Sequence, residues 1–125
     1  MGIAYNKHKT YPQNIYFRDF SGKVDVHEII HSWQFLLNNN LLNSEIRGVI
    51  NNLTNCQLDM DMGSFQVLMD FLKKYEQLRK IKLAVICNDP RTIVFPTLGE
   101  MQEKSLKIKP FTSENPAVKW IMEEV

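Results

Sequence analysis

The clearest pattern in the chain is an apolar strand, a polar loop and an amphipathic helix between residues 48 and 78. Residues 48–53 (Gly48-Val49-Ile50-Asn51-Asn52-Leu53) predict a strand, residues 54–63, which carry Asp59 and Asp61, predict a loop, and residues 64–78 predict a long helix. The apolar positions of that helix cover roughly 200° of its circumference, whereas a one-sided surface helix needs only ~100°. We therefore expect cover from two sides, one being the sheet and the other a neighbouring helix or a second copy of the chain.

Strands and helices alternate along the rest of the chain. Asp25 is a plausible N-cap after a predicted turn at residues 21–23, and Pro96 with Gly99 predicts a short or broken helix after Pro90. This alternation predicts an α/β domain with a mostly parallel (mixed) sheet of four to five strands and right-handed crossovers. Residues 1–14 are expected to form an irregular segment or an edge strand, and residues 15–125 the domain itself. The other predicted strands are 15–20, 82–87 and 106–111, and the other helices are 26–38 and one that opens near 112–116.

Composition narrows the classes of function. The formal net charge of +1 provides no basic field for nucleic acid. No apolar run approaches the ~20 residues that a spanning helix needs, so we expect no integral membrane association. The two cysteines, Cys56 and Cys87, lack metal-ligand spacing and are expected to stay reduced in a cytoplasmic protein.

Three segments together resemble the STAS-type families, which include the anti-sigma-factor antagonist (SpoIIAA-like) domain. They are Phe20-Ser21-Gly22-Lys23-Val24 before the first helix, the strand Val49-Ile50-Asn51-Asn52-Leu53, and the closing Pro116-Ala117-Val118-Lys119-Trp120-Ile121. The chain is most similar to an uncharacterised branch, over about residues 15–125, and its topology also resembles lipid-binding Sec14-type domains. The resemblance implies a non-enzymatic regulatory or protein-interaction module with no cofactor.

The resemblance fails at the serine that is phosphorylated in the classical antagonists. Those proteins carry an Asp-Ser-Ser-Gly-type segment at the start of the helix, whereas here the segment reads Asp59-Met60-Asp61-Met62-Gly63-Ser64. Ser64 is displaced from the family position. We therefore expect no phosphate on Ser64, although a helix N-terminus is electrostatically suited to one.

A second set of polar residues follows the next strand. Asn88, Asp89 and Arg91 come after it, just as Asp59, Asp61 and Ser64 come after the strand before. The carboxyl ends of parallel strands form the edge at which ligands usually bind, so these six residues are the candidate ligand or partner edge. The alternative is that the aspartates only solvate loops and cap helices.

His27 and His31 match the H-E-x-x-H zinc motif through His27-Glu28-Ile29-Ile30-His31. Both histidines lie on the polar side of an amphipathic helix, and the chain has only one other histidine, His8. We therefore interpret them as solvated surface residues and keep a zinc hydrolase only as the third hypothesis.

The leading hypothesis is thus a non-enzymatic module that binds a protein partner. We also expect a homodimer, with helix 64–78 or strand 106–111 near its axis. Its main rival is a small-molecule or lipid binder with an apolar pocket beneath the helix of residues 92–101. A cavity of some ~300 Å³ or more supports a lipid-sized ligand, and a closed interior argues against one.

Overall fold

In the computed structural model, which describes residues 2–123, five strands and five helices alternate along the chain. They are β1 (Gly2–Lys7), β2 (Ile15–Asp25), α1 (Val26–Asn38), β3 (Gly48–Asp59), α2 (Met62–Lys74), α3 (Glu76–Lys80), β4 (Lys82–Ile86), α4 (Pro90–Gln102), β5 (Lys107–Phe111) and α5 (Glu114–Met122). No helix within this range combines the length and the apolar composition that crossing a membrane requires.

The strands form one mixed sheet whose spatial order is the chain order, β1-β2-β3-β4-β5. β1 runs antiparallel to β2, and the other neighbours are parallel, which confirms the predicted α/β architecture. Because each crossover moves one strand in the same direction, right-handed connections bring α1, α2 and α4 to one face of the sheet. Buried side chains of these helices share one core, whereas Ala117 and Ile121 of α5 pack on Ile15 and Ile50 across the other face.

The turn predicted at residues 21–23 and most of the loop predicted at residues 54–63 belong to strands, and these two segments pair with each other. Residues 21–25 extend β2 and residues 55–59 extend β3, from Ser21 opposite Asn55 to Asp25 opposite Asp59. The pairing of these two segments begins after a register shift at residues 19–21, and Gly22 adopts a positive φ of 70°. In these two paired segments the side chains that face the core are apolar, since Val24 is buried and both Cys56 and Leu58 pack on the core. This alternation of core-facing and outward-facing residues, with a period of two, is the strand signal that the prediction of turns overlooked.

Two helix predictions are also wrong in detail. The helix expected over residues 64–78 is divided at Tyr75, whose extended backbone separates α2 from α3. The helix expected to break at Pro96 is continuous as α4. Pro96 lies on the buried side of α4, and the Thr97 hydroxyl donates to the Ile93 carbonyl at 2.7 Å in the same turn. Burial of this face offsets the cost of a proline inside a helix, which is about 3 kcal/mol.

Candidate functional site

The predicted polar edge begins at the N-terminus of α2, where Asp61 is the N-cap. Its carboxylate accepts the backbone N–H of Ser64 at 2.8 Å, and this hydrogen bond lowers the pKa of Asp61. Ser64 is half-buried in the first turn, and its N–H is already bound to that carboxylate. Asp59 is exposed at the end of β3. This geometry gives Asp61 the structural role of a cap.

The second half of the edge caps α4 in the same way. Asp89 accepts the backbone N–H of Arg91 at 2.9 Å, which lowers the pKa of Asp89, and the Arg91 guanidinium lies 3.4 Å from the same carboxylate. Asn88, Asp89 and Arg91 are all exposed. They form one local cluster on the surface.

The two halves of this edge do not meet. β4 ends at Ile86, which pairs with Asn52, whereas β3 continues seven residues further, from 52 to 59. At the usual rise of a strand this places Asp59 about 20 Å beyond the last β3–β4 pair. Within residues 2–123 no hydrogen bond or ion pair links one half to the other. A ligand site formed by all six residues therefore remains a prediction, and the geometry does not favour it.

His27 and His31 are both exposed on α1. Among the described residues no three His, Cys, Asp or Glu side chains come together as a metal site would require. His8 is buried elsewhere, where its Nε2 lies 2.9 Å from a carboxylate oxygen of Glu114. The two motif histidines thus have no third protein ligand in the part of the chain that the structure describes.

The interior instead contains a cavity of about 80 Å³ between the sheet and helices α1, α2 and α4. Most of its lining is apolar, and Phe65 of α2 meets Phe95 of α4 there with ring centroids 5.5 Å apart. Phe95 and Pro96 belong to the helix beneath which an apolar pocket was expected. The volume is well below the ~300 Å³ that a lipid-sized ligand needs, so this structure accommodates only a compact molecule.

The polar side chains that line this cavity are Arg18 of β2 and Asn51 of β3. Arg18 is only 1% exposed, and its guanidinium lies over the ring of Trp33. Burial lowers the pKa of Arg18 to about 9, so the side chain remains protonated at neutral pH. A buried positive charge therefore faces an apolar cavity.

Neutral groups hold the Arg18 guanidinium in place. Its Nε donates to the Asn51 side-chain oxygen at 2.8 Å, its Nη2 donates to the same oxygen, and its Nη1 donates to the Ser32 hydroxyl at 2.7 Å. Ser32 also accepts the Tyr5 hydroxyl at 2.9 Å, and Asn51 donates to the Ala84 carbonyl. No carboxylate among residues 2–123 forms an ion pair with Arg18. The site combines a positive charge, held in place by neutral groups, with an apolar cavity.

Neither Arg18 nor Asn51 was predicted as a site residue, although the sequence carries a signal for both. Arg18 stands two residues from Tyr16 and from Phe20, so the period of a strand places all three on one face. The same spacing places Asn51 with Val49 and Leu53. A polar residue at an inward position of a buried strand was therefore readable in both strands.

Comparison with known proteins supports the architecture. No protein-family model and no curated protein sequence matches the chain. Among solved structures, the chain is similar to that of an uncharacterized protein of the DUF3478 family from Shewanella loihica, described as having a SpoIIAA-like fold. The TM-score is 0.67 over 96% of this chain and 93% of that one, at 16% sequence identity.

The chain has a SpoIIAA-like fold. The expected STAS-like architecture is thereby confirmed. At 16% identity the comparison shows the fold alone, so function must be argued from the site.

Proposed function

We propose that this SpoIIAA-like domain is a non-enzymatic binding module, acting in the cytoplasm, that takes up a small and largely apolar molecule in its interior cavity. The observation that carries the proposal is the cavity of about 80 Å³ between the sheet and its three-helix layer. Ligand sites are typically concave and apolar with a few well-placed polar groups, which describes this chamber with Arg18 and Asn51. Its volume favours a compact ligand over a whole lipid.

Xenon tests whether the cavity admits an apolar guest, because apolar protein cavities take up this gas. Under xenon pressure, we expect methyl NMR signals of lining residues such as Leu72 and Leu83 to shift, while Val94 on the exposed side of α4 stays unchanged.

A matched pair of variants on α2 locates the effect. Leu68→Phe adds volume to the lining and should abolish the xenon shifts, whereas Val67→Phe adds the same ring at an exposed neighbour and should preserve them. Thermal unfolding checks that both variants fold. Shifts that are absent in the wild type, or that persist unchanged in folded Leu68→Phe, contradict the proposal.

A protein partner is the second candidate, and a separate observation favours it. Within residues 2–123, the large apolar side chains that are most exposed lie on the three helices of one layer. These are Phe35 of α1, Met62 and Val67 of α2, and Val94 and Met101 of α4. Surface apolar groups that cluster on one side are typical of protein interfaces.

The homodimer remains a prediction, but the reason for it has weakened. The sheet and the neighbouring helices of the same chain bury most of the apolar arc of α2, leaving Val67 53% exposed. Edge strand β5 carries Lys107, Lys109 and Pro110, which disfavour edge-to-edge pairing.

Light scattering at micromolar concentration tests whether the partner is a second copy of this chain. A mass of twice 14.7 kDa supports the homodimer, and Val67→Glu should then reduce it to the monomer mass. A wild-type mass of 14.7 kDa rejects the homodimer. As a control for an added charge at another exposed site, Gln102→Glu at the end of α4 should leave the mass unchanged.

A further inference from the structure

We infer that Arg18 recognises the carboxylate of a compact apolar acid bound in the interior cavity. This inference rests on the proposed function and specifies the chemical class of the ligand. It follows from three observations on Arg18: its burial without an acidic partner, the number of its N–H groups that are occupied, and the composition of the chamber beside it.

The first observation is an uncompensated charge. Arg18 is 1% exposed, and none of its partners among residues 2–123 is a carboxylate. Buried charges in proteins are normally paired or bound to a metal, because transfer of an unpaired ion from water is costly. An anionic guest would provide the missing counter-charge.

The second observation is the hydrogen-bonding capacity of the guanidinium, which carries five N–H groups. The described partners use three of them: Nε and one N–H of Nη2 bind Asn51, and one N–H of Nη1 binds Ser32. One N–H on Nη1 and one on Nη2 remain without a partner among residues 2–123. Nη1 and Nη2 are bonded to the same carbon, and such a pair of terminal nitrogens can bind the two oxygens of a carboxylate.

The third observation is the chamber itself. The guanidinium is held from three sides, by the Trp33 ring, by Asn51 and by Ser32, so it is fixed before a ligand arrives. The lining beyond Arg18 and Asn51 is apolar, and the volume is about 80 Å³. The structure therefore favours a monocarboxylate with a short hydrocarbon body over a sugar acid or a nucleotide.

Pairs of isosteres test the inference on the wild-type chain. Butyrate and butyramide, and likewise hexanoate and hexanamide, have nearly the same shape and differ in charge. In NMR titrations we expect each acid to bind at least about tenfold more tightly than its amide, as a charge-assisted bidentate contact implies. Equal affinities, or binding of neither compound while xenon still enters, overturn the inference and leave the proposed function standing. Failure of xenon as well overturns both.

Variants of Arg18 assign the preference to this side chain. Arg18→Met should bind acid and amide alike while still admitting xenon, and Arg18→Lys should retain part of the preference. An unchanged preference in folded Arg18→Met overturns the inference, and if that variant does not fold, the isostere ratio of the wild type decides. Octanoate and decanoate distinguish a compact free acid from a lipid-derived acid. Affinity that falls beyond six carbons supports the inference, whereas affinity that rises to ten carbons identifies a lipid-derived acid and overturns the compact ligand.

Discussion

The guanidinium carbon of Arg18 lies 3.9 Å from the centroid of the Trp33 ring, although the two residues come from different layers of the domain. Arg18 belongs to β2 and Trp33 to α1, and the two side chains are 1% and 3% exposed. A desolvated contact of this kind contributes about 2 kcal/mol. The cation is therefore part of the packing between helix and sheet, and changes around it should affect stability as well as binding.

Asn51 is expected to be the most sensitive polar position in the interior. Asn51→Leu removes the acceptor of two Arg18 N–H groups and the donor to the Ala84 carbonyl, and should lower the free energy of unfolding by about 3 kcal/mol or more. Asn55→Leu on the exposed part of β3 is the control and should change it by less than about 0.5 kcal/mol. Urea denaturation measures the free energy of unfolding of both variants. Equal losses in the two would show that the buried hydrogen bonds of Asn51 do not contribute measurably to stability.

Gly48 is expected to tolerate no side chain, because β3 begins there in close contact with α5. A Cβ atom would lie 2.7 Å from Cγ2 of Ile121 and 2.8 Å from the Lys82 carbonyl oxygen. Gly48→Ala should therefore lower the free energy of unfolding by about 1–3 kcal/mol. Gly63→Ala in the first turn of α2 meets nothing nearer than 3.5 Å and should be neutral or stabilising by up to about 1 kcal/mol. A Gly48→Ala protein as stable as the wild type contradicts the packing described for α5.

Acid should weaken the cap of α2. The pKa of Asp61 is lowered in the folded protein from its ordinary value of 3.8, so its stabilising effect is full above that value and is lost as the pH falls through the folded pKa. Asp61→Asn keeps a capping oxygen that does not titrate. Between pH 6 and pH 3, this variant should lose less stability in urea unfolding than the wild type. Asp59→Asn, which changes an exposed acid that caps no helix, should behave as the wild type. An identical loss in all three proteins argues against the cap.

The thiol of Cys56 should react slowly. Burial, with the nearby Cys87, raises the pKa of Cys56 from 9.0 to about 11, and only the thiolate attacks disulfide reagents. At pH 8 the thiolate population should be about 100-fold smaller than in the unfolded chain, and so should the rate with a chromogenic aromatic disulfide. Cys87→Ala leaves Cys56 as the one thiol to follow and retains burial, the larger cause of its raised pKa, and the same protein in urea gives the reference rate. A native rate within a few fold of that reference contradicts the burial described for Cys56.

The period of apolar residues was sufficient to predict most of the elements. Helix 26–38 has the predicted bounds, and the edge strand with Pro110 lies where expected. Prediction failed where tertiary contacts outweigh local preference. Residues 21–25 and residues 55–59 each have the composition of a turn, and they form strands because each supplies the other with a partner. Pro96 stays within a helix because that face of α4 is buried.

The candidate site was harder to predict for a physical reason. Exposed acids at strand ends resemble ligand-binding residues, yet Asp61 and Asp89 each accept a backbone N–H as a helix cap. The cavity depends on how α1, α2 and α4 pack on the sheet. No local sequence pattern predicts the space that remains between these helices and the sheet. Arg18 was visible as a charge at an inward strand position, but only the structure shows that its partners among the described residues are neutral.

The order of the sheet, in which neighbours in space are also neighbours in sequence, has a consequence for assembly. No strand has to be inserted between two strands that are already paired. Each new strand joins an open edge, so a chain emerging from the ribosome can extend the sheet unit by unit from β1 to β5. α5 follows all five strands and packs on Ile50 of β3 and Ala84 of β4, so the second face of the sheet is covered only after the whole sheet has been synthesised.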